Sequence, residues 1–140
     1  YWNQPEKTAA KFRGDWLRTG DLGHVDAQGY ITFEARDDDV ITSAGYRIGP
    51  SEIENCLMGD ADVVMAAAVG IPDPVRTEVI RAFVVLRDGA SQDGAAKRLI
   101  ERVKSRVSPH VAPRDVVFVK TLPMTATGKV MRRELRDYTV

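Results

Sequence analysis

The sequence predicts an α+β fold, a small mixed sheet with packed helices and a short β-ribbon, preceded by a β-hairpin. Three observations predict it. Val63 to Ile71 and Val79 to Leu86 are continuous apolar runs of strand length, and both read as central strands. Between Asp93 and Val107, the residues Ala96, Leu99, Ile100, Val103 and Val107 recur at helical spacing among Lys and Arg, as in a helix covering one face of a sheet. Gly49-Pro50-Ser51-Glu52 carries helix-start signals, with proline in the first turn and acids at the positive end of the dipole.

The remaining elements follow in chain order. Pro5 to Phe12 suits a short helical turn with Asn3 as cap, ending before Gly14. Trp16 to Thr19 and Tyr30 to Phe33 read as hairpin strands joined across Asp26-Ala27-Gln28-Gly29. Arg36-Asp37-Asp38-Asp39 has no apolar face and marks a junction between compact units. Val40 to Thr42 and Tyr46 to Ile48 pair across Ser43-Ala44-Gly45 as a ribbon. Ile53, Leu57 and Met58 form the buried face of the helix after Gly49, and Cys56 on its apolar side reads as a small core residue. Pro72-Asp73-Pro74 breaks the chain between the two long strands. Val116 to Val119 adds a strand, Pro123 to Lys129 a loop, and Met131 to Leu135 a last helix.

Composition narrows the function. The 140 residues suit one domain with an appended fragment of another, and 44% apolar with 29% charged residues is a globular balance. Lys plus Arg and Asp plus Glu both total 20, so no global field draws the chain to nucleic acid or anionic lipid, and any anion site is local. Cys56 is the single cysteine, and His24 and His110 lie far apart, so neither a disulfide framework nor a metal-ligand spacing is present. A cytoplasmic location fits. No membrane span is expected. Tyr1 to Glu6 does not resemble a signal peptide, and a start without methionine suggests a segment of a longer protein.

Several short stretches carry chemistry. Thr19-Gly20-Asp21 places a carboxylate after a strand and a glycine, where it can accept from a sugar diol or simply complete a turn. Thr125-Ala126-Thr127-Gly128-Lys129 puts a cation at the end of a glycine-bearing loop. It is not a Walker-type phosphate loop, which needs an earlier glycine and a hydroxyl after the lysine, where Val130 stands. The plain alternative for Lys129 is a solvated lysine before a basic helix.

Together with Arg36, Asp38, Asp39 and Gly45-Tyr46-Arg47-Ile48-Gly49-Pro50-Ser51-Glu52-Ile53-Glu54, these stretches resemble the adenylate-forming superfamily of acyl-CoA synthetases, nonribosomal adenylation domains and luciferases. Tyr1-Trp2-Asn3, Ser43-Ala44-Gly45 and Pro72-Asp73-Pro74-Val75-Arg76 look most like the short- and medium-chain acyl-CoA synthetases. The resemblance covers essentially the whole chain. It implies that residues 1–35 are the last strands of a large N-terminal adenylation domain, 36–39 a hinge, and 40–140 a C-terminal lid domain.

The resemblance further implies an ATP-dependent ligase that joins a carboxylic acid to CoA through an acyl-adenylate. ATP and CoA are its substrates, with Mg²⁺ held mainly outside this chain. Lys129 is then catalytic in adenylate formation, Asp21 and Arg36 bind nucleotide, Asp38 is the hinge, and Ser43, Gly45, Arg47 and Arg76 meet CoA. Arg76 otherwise serves to cap surface acids. An acetyltransferase and deacetylase acting at Lys129 are implied as partners. Two positions depart from the pattern: Ala35 replaces a glycine before the arginine, and Val111 stands where some relatives have a phosphate-binding lysine. Two other readings remain open, an adenylating enzyme that loads a carrier protein, and a non-catalytic module whose Lys129, Arg132, Arg133 and Arg136 hold nucleic acid. No aromatic stacking platform accompanies those charges.

Overall fold

The computed structural model describes residues 1–138, so the expected domain end at Val140 lies outside the described residues. The chain divides into two compact units between Asp38 and Asp39.

In the first unit, helix α1 (Pro5–Ala9) starts on Pro5, and its cap position is Gln4 rather than the expected Asn3, which sits at φ 50°. Strands β1 (Phe12–Arg13) and β2 (Trp16–Leu17) pair with each other, Phe12 opposite Leu17. This corrects the expected hairpin, in which Trp16 was to pair beyond residue 29. Gly14 at φ 60° makes a two-residue turn with Asp15, so the local partner wins over the distant one. The hairpin around Asp26 is built instead from β3 (Asp21–Val25) and β4 (Ile31–Arg36). Its turn forms for the reason expected: Asp26 Oδ1 accepts from the N–H groups of Gln28 and Tyr30, both at 2.9 Å.

The second unit is a five-stranded sheet with helices on one face and the C-terminal loop and helix on the other. Strands β5 (Ile41–Ser43) and β6 (Tyr46–Ile48) form the ribbon, turning on Ala44 at φ 50° and Gly45 at φ 85°. Two successive positive φ values match the twist of a tight hairpin. Helix α2 (Pro50–Met58) buries Pro50, Ile53, Glu54 and Leu57, whereas Met58, expected inside, is 41% exposed at the helix end. Strands β7 (Val63–Asp73) and β8 (Thr77–Leu86) form the long antiparallel pair. Pro72 lies within β7 instead of ending it, and the chain turns only after Asp73, whose Oδ1 accepts from Val75 and Arg76 N–H. Helix α3 (Ala95–Arg106) crosses one face, and β9 (Asp115–Phe118) adds to β8 in parallel, making the sheet mixed. Helix α4 (Arg132–Arg136) ends the described fold.

Only β8 is central. Strand β7, expected to be central, pairs with β8 alone among the described strands. Its unbroken apolar run has another cause, because both of its faces are covered. Ala66 and Ala68 point into a core with Ile53, Leu57, Leu99 and Val103 from α2 and α3. Ala67 and Val69 point the other way, to Phe83, Leu122 and Leu135. Burial on two faces, more than rank in the sheet, removes the polar alternation. The free edge of β7 is closed by a side chain: Glu54 Oε1 accepts the Ala68 N–H at 2.9 Å.

Candidate functional site

The residues singled out by sequence fall into three groups. In the first unit, Asp21 and Arg36 are register partners at the open end of the β3/β4 hairpin, which brings them together. Arg36 Nη1 donates to Asp21 Oδ1 at 3.2 Å, and its Nε donates to Asp38 Oδ1 at 3.0 Å. Gly20, at φ 83°, leaves room for this arrangement, since a Cβ there would stand 3.1 Å from Arg36 Nη2. Both partners of the Asp21 pair are nearly half exposed, 46% and 45%. Such a pair contributes under about 1 kcal/mol and opens readily to a competing polar ligand.

The second group is the Lys129 loop. Thr125 N–H donates to Lys129 O at 2.8 Å and Gly128 N–H to Thr125 O at 2.9 Å, closing three residues into a tight turn. Gly128 at φ 80° supplies the left-handed position that such a loop requires. Thr125 Oγ1 accepts the Lys129 N–H at 3.1 Å and shares a 3.0 Å hydrogen bond with Thr127 Oγ1. Below the tip, Met124 bridges to Val130, and both pack with Leu122 on the Phe83 side of the sheet. The loop is thus a stiff, exposed hairpin on an apolar base, carrying an exposed lysine at its end.

The third group lies on the ribbon. Ser43 is buried, and its hydroxyl donates to Glu78 O at 2.7 Å. Thr42 N–H donates to Glu78 Oε2 at 2.6 Å, and Ala44 N–H to Arg76 O at 3.0 Å. The ribbon is therefore laced to the start of β8. Gly70 makes room for this: a Cβ there would meet the Glu78 carboxyl at 2.5 Å. Gly45 and Arg47 are exposed, and a Cβ on Gly45 would meet nothing within 4 Å. Ser43 and Arg76 line a hollow of about 590 Å³ with Tyr46, Lys104, His110 and Arg114. Tyr46 stacks on His110 with ring centroids 5.0 Å apart. An aromatic floor beside three cations suits a phosphorylated planar group. Sequence reasoning did not gather Lys104, His110 and Arg114, because they converge only through the packing of α3 and the turn Pro109–Val111 beside the sheet.

Arg76 owes its place to Asp73. The Arg76 N–H, then the Val75 N–H, hold the Asp73 carboxyl below its ordinary value, helped by the charges of Arg76 and Arg114. A carboxyl depressed by folding contributes fully above its unfolded pKa of about 3.9 and loses that contribution as pH falls through the lower, folded value. An NMR titration of Asp73 is expected to show a midpoint below about 3.9, with the Val75 and Arg76 amide shifts following it. A midpoint at or above that value contradicts the turn geometry.

The lysine-tipped loop thus stands on one face of the sheet, and the laced ribbon with its cationic hollow lies toward the α3 face. Comparison with known proteins shows which family carries this arrangement. The family model described as the AMP-binding enzyme C-terminal domain matches residues 52–129, and the chain belongs to that family. The chain is 49% identical over 143 residues to Acyl-coenzyme A synthetase ACSM2B, mitochondrial, of Homo sapiens, covering 98% of this chain and 24% of that protein. It is 50% identical to Acyl-coenzyme A synthetase ACSM2, mitochondrial, of Rattus norvegicus, over 97% of this chain and 24% of the relative. Among solved structures, ATP-bound MatB from Rhodopseudomonas palustris superimposes with a TM-score of 0.87 at 33% identity, over 98% of this chain and 27% of that one. The o-succinylbenzoate CoA synthetase MenE of Bacillus subtilis, in complex with its acyl-adenylate intermediate, gives 0.87 at 31% identity, over 99% and 28%. The chain thus spans 24% of the length of the first relatives it matches.

No helix among the described residues is long and apolar enough to cross a membrane. Nor does any group of three or more His, Cys, Asp or Glu among the described residues form a metal site.

Proposed function

We propose that this chain is the C-terminal part of an ATP-dependent acyl-CoA synthetase acting on a short- or medium-chain carboxylic acid. The observation that carries the reading is the Lys129 hairpin: a stiff loop presenting an ammonium group, on a domain of the adenylate-forming type. In the first half-reaction a carboxylate oxygen attacks the α-phosphorus of Mg²⁺-bound ATP and the bond to pyrophosphate breaks. Lys129 neutralises charge gathering on the phosphoryl oxygens. In the second, the CoA thiol attacks the acyl carbonyl, a thioester forms and AMP leaves.

In this reading Asp21 accepts from the ribose hydroxyls and Arg36 keeps it aligned. Asp38 absorbs the backbone rotation that exchanges one half-reaction for the other. Gly45 lets the ribbon backbone approach the pantetheine arm, Ser43 fixes the ribbon from within, and Arg47 and Arg76 meet CoA phosphates. Lys104 and Arg114 stand beside the same hollow and supply the charge that Val111 lacks. Residues 1–35 belong to the larger adenylation domain, a boundary supported by large apolar side chains left open there, Trp2 at 95% and Trp16 at 80%. Residues 36–39 are the hinge, and 40–140 the lid. Reversible acetylation of Lys129, which removes its charge, switches the first half-reaction off. The free thiol of Cys56 suits a reducing compartment, and the cytoplasm remains the proposed one although the relatives above are described as mitochondrial.

The test is release of free acyl-CoA, AMP and pyrophosphate by the protein carrying this chain behind a complete adenylation domain, across a panel of acids. A Gly45→Leu variant is expected to keep adenylate formation and to lose thioester formation by about 100-fold, because a side chain displaces the thiol from its line of attack. Acylation of a carrier protein without free acyl-CoA would replace this reading.

A further inference from the structure

Three residues after Lys129, the chain is held by a charge cluster that neither half-reaction uses directly. Arg132 Nη1 donates to Asp39 Oδ2 at 2.9 Å, and Nη2 donates to Glu54 Oε1 and Oε2, each at 2.9 Å. Glu54 also closes the β7 edge through the Ala68 N–H, and Arg136 Nη2 lies 3.7 Å from Asp39 Oδ1. The cluster is largely shielded from solvent: the side chains of Arg132, Asp39 and Glu54 are 19%, 18% and 11% exposed. Asp39, Glu54 and Arg132 come from three separate segments, and the two carboxylates meet at one guanidinium.

Position decides what the cluster does. Asp39 is the first residue of the second unit and the last of the proposed hinge, next to Asp38. Arg132 is the first residue of α4, and Met131 before it donates to Pro123 O at 2.9 Å, at the foot of the Lys129 hairpin. The guanidinium thus joins the place where the second unit begins to the stem of the loop that carries the lysine. A shielded ion cluster adds little net stability over well-packed apolar groups, so its return lies in fixing geometry. The planar fork serves that purpose, since its two nitrogens address two carboxylates at set angles, which a lysine ammonium cannot do. The ribbon is fixed by other means, through Glu78, Thr42 and Ser43.

Resting on the function proposed above, we infer that Arg132 is a positioning residue for the adenylation half-reaction, clamping the hinge exit at Asp39 to the stem of the Lys129 loop. The thioester half-reaction, served by the ribbon, does not depend on it.

The experiment compares Arg132→Met, Arg132→Lys and Asp39→Asn in the protein carrying a complete adenylation domain. Each half-reaction is measured separately, with rates referred to folded protein. Arg132→Met is expected to lower kcat for adenylate formation by about 100-fold, with KM for ATP little changed, the scale of effect that an ångström of misplacement produces. Arg132→Lys, which retains a charge but not the fork, is expected to recover part of that loss. In the two Arg132 variants, thioester formation from supplied acyl-adenylate stays within about threefold of the parent, since no ribbon contact is touched. In all three variants the Gly128 and Lys129 amides exchange faster with solvent, while those of Thr42 and Ala44 do not. Should Arg132→Met fail to fold, the two milder variants carry the same comparison. Equal loss in both half-reactions, or full adenylation with unchanged amide exchange, overturns the inference. A parent protein that adenylates no acid overturns the proposed function as well, and so is told apart from failure of the clamp alone.

Discussion

Replacing Lys129 with alanine is expected to lower adenylate formation by about 100- to 1000-fold while thioester formation from supplied acyl-adenylate survives, the loss typical of removing one preorganised charge-stabilising donor. The asymmetry follows from the loop. Its hairpin is held by main-chain bonds between Thr125 and Lys129 and by the Thr125 hydroxyl accepting the Lys129 N–H, none of which involves the ammonium group. Truncating the side chain therefore removes charge without altering the loop, and stability should change by no more than about 0.5 kcal/mol. Paired single-turnover assays of the two half-reactions, with a melting curve beside them, give the answer. Equal decline in both half-reactions would remove Lys129 from its proposed role.

A second large effect is expected at Phe83. Its side chain is fully buried in the middle of β8, packed with Ala67, Val69, Leu122 and Leu135 and met edge-on by Tyr138, ring centroids 5.5 Å apart. Phe83→Ala opens a cavity where three segments converge, at a cost of about 3–5 kcal/mol. A domain of this size holds roughly 5–15 kcal/mol in all, so the variant should stand near the edge of unfolding. The same cluster seats Met124 and Val130, the base of the Lys129 hairpin, so the loop should loosen before the ribbon does. Denaturant titration measures the loss, with Met58→Ala at an exposed position as a control expected within about 0.5 kcal/mol of the parent. A loss at Phe83 below about 1 kcal/mol would contradict the packing described.

What could be read from sequence was local. Gly49-Pro50 announced α2, Ala44-Gly45 announced the ribbon turn, and Asp26 announced its own turn, because in each case the residues that form the bond or adopt the φ angle are neighbours. The resemblance to adenylate-forming enzymes likewise singled out Asp21, Arg36 and Lys129, as expectations, before any geometry was known. Partner choice was not legible. Trp16 paired with residue 13 because a glycine turn lay closer than the expected strand, and β7 read as central because apolar runs report two covered faces and not neighbours in a sheet. Least legible were contacts between residues far apart in the chain. Arg132 meets Asp39 across 93 positions and Glu54 across 78, and no periodicity links a charge to a partner at such a distance. Lys104, His110 and Arg114 likewise meet Ser43, Tyr46 and Arg76 around one hollow only across long stretches of chain.

The proposed function requires the Lys129 loop to visit phosphate in one half-reaction and to leave it in the other. Its most direct test is a pair of crystal structures of the protein with its complete adenylation domain, one holding an acyl-adenylate analogue and one holding CoA with AMP. Lys129 Nζ is expected within hydrogen-bond distance of a phosphate oxygen in the first. In the second, the Gly45 ribbon is expected beside the pantetheine arm, with Lys129 turned out to solvent. Lys129 remote from phosphate in both structures would contradict the proposed function.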